Sequence, residues 1–240
     1  MQLSLSRFFL VFCFLLSVSL VAETVVFNVD EAGFSLNANR LQSFEITANF
    51  NELAVQNVER DGQMFSRLSI PGFHSMMVAG EPELPTLNKF IEVPLGGKVN
   101  INIISYDEQT FSAEEVNVQF PVFPHQPSAS KSAEQTPEFI MNQNSYAVDQ
   151  FIGSGQIVAV ADDFITRGVR LALLQVRPVQ YNPVANQIKV LTNIRFEVSV
   201  EGSDLAATDF RRSRYQNAFY GNVLDARVLR TSSTRDDLTG

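Results

Sequence analysis

The 240-residue chain has no tryptophan, one cysteine and two histidines, and each scarcity closes a class of chemistry. The cysteine is Cys13, inside the apolar run from Phe8 to Ala22 that follows Arg7. One positive charge, an apolar stretch of that length and small residues at its end form the pattern of a secretory signal peptide, with cleavage expected after Ala22. A transmembrane helix needs about 20 apolar residues, so no stable membrane anchor is expected once residues 1–22 are removed. Phe12, where a small residue would precede an acylated cysteine, argues against lipidation. The exported chain would then carry no thiol, hence no disulfide, no cysteine metal ligand and no cysteine nucleophile.

His74 lies in the loop-like stretch PGFHSMM and His125 in a proline-rich segment, and neither is accompanied by a G-x-S-x-G nucleophile elbow. Two histidines 51 residues apart are a poor start for a zinc site. No catalytic residue, metal or cofactor is expected. Positive charge is also scarce: 18 Lys and Arg against 26 Asp and Glu give −8, and loss of Arg7 leaves 17 against 26, or −9. Phosphate binding needs a basic field, so no nucleic-acid partner is expected.

What the chain does have is 20 phenylalanines and apolar residues recurring with a period near two. Ser43 to Phe50, Lys98 to Ser105, Val116 to Phe120, Gln156 to Ala161, Val169 to Arg177 and Gln187 to Val200 read as half-buried strands. Gly96-Gly97 suits a tight hairpin, and Tyr181-Asn182-Pro183 with Asn186 a longer turn. No helical stripe stands out before residue 205. The fold class is all-β, an antiparallel β-sandwich over residues 23–203. Residues 121–137, with four prolines, read as a long internal crossover loop, and both flanking halves are expected to supply strands to one sandwich. Residues 204–240, rich in Asp and carrying Arg211, Arg212, Arg214, Arg227, Arg230 and Arg235, read as an exposed tail or connector.

Three acid pairs, Glu114-Glu115, Asp162-Asp163 and Asp236-Asp237, are candidates for glycoside hydrolysis, and Asp162-Asp163 for calcium. Neighbours on a strand point to opposite faces, so such a pair cannot converge on one substrate atom, and solvated turns are the better reading. Gly153-Ser154-Gly155 precedes a strand and lacks the helix amino terminus that a phosphate loop needs.

Two blocks and their order carry a family likeness. Ala79 to Val99 (AGEPELPTLNKFIEVPLGGKV) contributes Gly80, Glu81, Pro82, Leu84, Pro85, Pro94 and Gly96, and Gly168 to Val200 contributes Pro178, Tyr181, Asn182 and Pro183. Preceded by a signal peptide and separated by a proline-rich segment, they resemble the amino-terminal propeptide of gingipain-type cysteine peptidases, the C25 family. The resemblance implies a bacterial β-sandwich prodomain, exported to the periplasm, cell surface or medium. Its implied partner is a cognate C25-type catalytic domain, in cis or in trans, which it helps to fold and keeps inhibited until proteolysis releases it. Family peptidases often prefer Arg or Lys before the cut bond. The six tail arginines are therefore the inhibitory or processing candidates, with Arg227, Arg230 and Arg235 favoured by position. The competing reading is a stand-alone secreted β-sandwich for adhesion or carbohydrate binding. A third, an enzyme in its own right, lacks an assembled site.

Overall fold

A computed structural model describes residues 22–29, 32–39, 43–75, 78–127, 138–166, 168–214 and 223–224. The strands are β1 (Glu23–Val26), β2 (Gly33–Asn39), β3 (Ser43–Asn49), β4 (Glu52–Arg60), β5 (Gln63–Ser69), β6 (His74–Ser75), β7 (Pro85–Val93), β8 (Leu95–Ser112), β9 (Val158–Thr166), β10 (Val169–Val176), β11 (Val179–Asn182), β12 (Gln187–Asp204) and β13 (Val223–Leu224). The described residues also form two helices, α1 (Gln143–Tyr146) and α2 (Leu205–Arg214), and a 3-10 turn at Glu114–Val116.

The alternation seen in the sequence becomes antiparallel pairing in three sheets: β1-β4-β5, β13-β7-β10-β9, and β11-β12-β3-β2 with β8 along the other side of β12. Among the described strands β13 alone pairs in parallel, with β7. The halves on either side of the proline-rich segment interleave, because β7 lies beside β10 and β3 beside β12. Residues alternate faces along a strand, so each sheet turns one apolar row inward. One core cluster joins Phe44, Ile46, Ile91, Leu174 and Phe196, and a second joins Phe50, Leu53, Leu84, Val122, Tyr181 and Ile188.

The long strands β8 and β12 supply residues to both clusters. The ladder slips at Thr192/Arg195, where Asn193 adopts φ +50°. Its side chain accepts from Asn49 at 2.9 Å and donates to Asp107 at 2.6 Å. Asparagine tolerates the left-handed conformation better than other non-glycine residues, which explains its place at the bulge.

Several sequence expectations need correction. Gly96 and Gly97 do not close a hairpin: the chain changes sheets at Pro94, and both glycines lie in β8 opposite Glu201–Asp204. Val116 to Phe120 forms no strand, since Asn117 takes φ +61° and ends the 3-10 turn. Asp162 and Asp163 sit on β9 rather than in a turn, at a register shift, with Asp163 paired to Arg170. The proline-rich segment is not all surface loop. Val122 and Phe123 are buried, and Phe123 packs against Phe65 and Phe139, because four prolines restrict the backbone without preventing apolar side chains from docking. Residues 128–137, residues 1–21 of the expected signal peptide, and Arg227, Arg230, Arg235, Asp236 and Asp237 lie outside the described residues.

Candidate functional site

The Gly80–Pro85 block forms an extended ledge because Pro82 and Pro85 fix φ and push their predecessors away from helix. Its polar backbone is matched against the segment after Pro121: Gly80 N donates to His125 O, His125 N to Glu81 O, and Glu83 N to Phe123 O, at 2.8 Å each. Gly80 itself has φ +86°, and a Cβ there would stand 3.0 Å from Asn142 N and Ile140 Cγ2. Gln126 fixes the far end. Its side chain donates to Ile140 O at 2.7 Å and accepts from Ile140 N at 3.0 Å, an amide acting as a strand residue would.

Above this ledge lies a recess of about 630 Å³ lined by Arg60, Arg67, Glu83, Phe123, Pro127 and Glu138 among others. Glu83 is flanked by Arg67 Nε at 3.6 Å and His125 Nδ1 at 3.5 Å, and the Arg67 guanidinium lies 4.1 Å over the Phe123 ring. Among the described residues no serine lines this recess. Among the described residues no group of three or more His, Asp or Glu is placed to hold a metal.

Tyr146 on α1 closes the ledge from behind, donating to Val122 O at 2.6 Å. Burial, then Tyr181 and Glu83, push its phenol well above the ordinary tyrosine range, and burial raises Tyr181 too. A raised folded-state pKa means the neutral form adds stability that is complete below the unfolded value, near pH 10, and is lost as pH rises beyond it. Urea unfolding at pH 7 and at pH 10.5 should therefore show weakening at the higher pH. Tyr146→Phe should cost about 1 kcal/mol at pH 7 through the lost hydrogen bond, and should make the alkaline loss shallower. An unchanged alkaline slope would remove Tyr146 from this account.

The second block meets the first through the core. Pro178 O accepts from Leu191 N at 2.8 Å, Tyr181 is buried, and Asn182 Oδ1 accepts from Val184 N and Ala185 N at 3.1 and 3.0 Å, capping the β11–β12 turn. Pro183 follows in that turn. Leu84 and Tyr181 belong to one core cluster, and through these two residues the first block meets the second; Gly80, Glu81, Pro82 and Pro85 and, in the second block, Pro178, Asn182 and Pro183 are not members of it. Pro94 and Gly96 are not members either and mark the crossing between sheets instead.

At that crossing Arg170 donates to Pro94 O at 2.9 Å, to Gly96 O and to Gly97 O at 3.1 Å, while gripping both oxygens of Asp163. Leu95 N donates to Thr208 Oγ1 at 2.9 Å, which fastens α2 to the same point. Asp204 caps this helix by accepting from Ala207 N at 2.8 Å. The segment read as an exposed tail thus starts as a docked helix, whose backbone carries Arg211, Arg212 and Arg214. Sequence reasoning missed Gln126, Arg170 and Thr208. Thr208 had a readable signal, an Asp four residues before it at a helix start, whereas the other two act at long range and had none.

Comparison with known proteins then fixes the family. The family model Propeptide_C25 matches residues 34–213, which includes α2 and extends past the boundary at 203. Lys-gingipain of Porphyromonas gingivalis is 37% identical over 198 residues, 81% of this chain and 11% of that protein. Gingipain R2 of the same organism is 27% identical over 165 residues, 67% of this chain and 22% of that protein. The chain therefore spans about a tenth of the length of the Lys-gingipain relatives. Among solved structures, one described as giving insight into zymogenic latency of gingipain K from P. gingivalis has a TM-score of 0.67 and 35% identity, covering 76% of this chain and all of that one. A complex of the pro- and mature domains of RgpB from P. gingivalis shares the fold, with a TM-score of 0.60 at 22% identity over 71% of this chain and 86% of that one. The family-model match over residues 34–213 and the 37% identity to Lys-gingipain over 81% of the chain establish that the chain belongs to the C25 propeptide family.

Proposed function

We propose that this chain is exported and serves as the pro-region of a gingipain-like cysteine endopeptidase, assisting its folding and holding it latent until proteolysis removes the pro-region. The observation that carries this reading is the match to the gingipain K structure, in which the whole of that chain is covered and whose subject is zymogenic latency. Its partner would be the cognate catalytic domain. Export is supported by the Arg7–Ala22 pattern, and among the described residues no helix is long and apolar enough to cross a membrane.

The tail arginines divide by position. Proteolysis favours exposed, locally extended chain, and Arg211, Arg212 and Arg214 lie on the helical backbone of α2. Arg227, Arg230 and Arg235, beyond β13, are therefore the stronger processing candidates. The test is to add the chain to a C25 peptidase of Lys or Arg specificity and to measure inhibition and cleavage for the wild type and for each Arg→Ala variant. Lys131, between the anchored ends at Gln126 and Ile140, enters the same series as a basic residue outside the tail. Tight inhibition, weakened ten-fold or more by one basic substitution, is the expected result. Absence of inhibition by the wild-type chain overturns the latency role.

A further inference from the structure

The parts of the chain before and after residues 128–137 are interlocked rather than set side by side. Strand β7 of the first half runs along β10 of the second, and from Arg195 to Ser199 strand β12 lies between β3 and β8. Both ladders of β12 there are made with the other half. The cores are mixed in the same way: Phe44, Ile46 and Ile91 close on Leu174, Phe196 and Val198, and Leu53, Leu84 and Val122 close on Val179, Tyr181 and Ile188.

The two ends of the joining segment are also tied to each other across the gap between them. The Gln126 side chain holds Ile140 N and O at 3.0 and 2.7 Å, and Phe139 packs on Phe65 and Phe123 at 5.6 and 5.9 Å. Asn142 N donates to Gly80 O at 2.9 Å, and the Tyr146 hydroxyl to Val122 O at 2.6 Å. None of these contacts runs through residues 128–137, so breaking a peptide bond there removes none of them.

We propose that a cut within residues 128–137 neither separates the halves nor ends latency, and that proteolytic removal of the pro-region requires cleavage outside this segment. A short linker supplies a local concentration on the order of 1 mM, and a small domain is unfolded about one part in 10³ or less, so the cut halves should bind at about 1 μM or tighter. The interlock concerns this chain alone; the statement about latency rests on the peptidase reading.

The experiment inserts the recognition site of a sequence-specific peptidase between Ala133 and Glu134 of the full chain, leaving Lys131 in place, and cuts it to completion. A second variant carries the site between Ser128 and Ala129, which guards against damage by the insertion itself. Both fragments should co-elute in size-exclusion chromatography at the volume of the uncut chain and part only in urea. The cut chain's urea midpoint should fall on dilution, as a two-part assembly requires, while the uncut chain's stays fixed. Separate elution, elution only as an aggregate, or a cut-chain midpoint that ignores dilution overturns the interlock. A further arm adds cut and uncut chain to a C25 peptidase, and equal inhibition is expected. Weaker inhibition by the cut chain, with its fragments still together, overturns the statement about latency. Failure of the uncut chain to inhibit strikes the peptidase reading instead and leaves the interlock to the elution and dilution results.

Discussion

Gly97→Ala should remove a large part of the chain's margin of stability, shifting the urea midpoint by an amount equivalent to at least about 3 kcal/mol, roughly a third of what a typical domain has in all. Two effects add. Gly97 has φ +67°, where a side chain costs about 1–2 kcal/mol. A Cβ there would also stand 2.1 Å from Glu201 O and 2.9 Å from Glu201 C. Both are backbone atoms of β12, so relief requires parting the β8–β12 ladder that serves both cores. Gly62→Ala separates the terms, since Gly62 has φ +77° with nothing within 4 Å of its Cβ position. It should cost about 1–2 kcal/mol, the conformational part alone. Equal losses for the two variants would show that the close approach at Glu201 carries no weight.

The same glycine shows what was legible in the sequence. The pair Gly96-Gly97 announces positive φ, and both residues have it. A hairpin was the wrong inference because a glycine at positive φ serves a bulge opposite another backbone as readily as a two-residue turn, and which it is depends on the partner strand. That partner, Glu201–Asp204, is about a hundred residues away. Period-two patterns did locate β3, β10 and β12 and, from Lys98 to Ser105, less than half of β8, since alternation is local. They missed β1, β2, β4 and β5. Strand β4 keeps Leu53 and Val55 buried in its first half, but its second half, with Asn57, Glu59 and Arg60, alternates weakly. At the candidate site, the motif blocks were readable as an ordered pair of proline-bearing segments. Their convergence through Leu84 and Tyr181 was not, because it is a property of the core they share.

Arg170→Ala is the second substitution expected to act strongly, and it reports on how the crossing holds the connector. Four groups lose their donor together: the Asp163 carboxylate and the carbonyls of Pro94, Gly96 and Gly97. The Arg170 side chain is only 12% exposed and that of Asp163 32%. Truncating one member of a largely desolvated pair leaves the other uncompensated, at about 3 kcal/mol here, given that Asp163 keeps some access to water. Arg195→Ala is the control, because its pair with Glu45 stands on an open sheet face and should be worth less than about 1 kcal/mol. Lysine at 170 should recover little, since an ammonium cannot match a fork that reaches a carboxylate and three carbonyls at once. The carbonyls Arg170 holds flank Leu95, whose amide holds Thr208 of α2. Loosening that crossing should therefore raise the rate of tryptic cleavage at Arg211, Arg212 and Arg214 under conditions where the body of the chain stays folded. If Arg170→Ala lowers the urea midpoint yet leaves those three sites as slowly cut as before, the crossing and the helix are independent, and α2 is held by its own contacts alone.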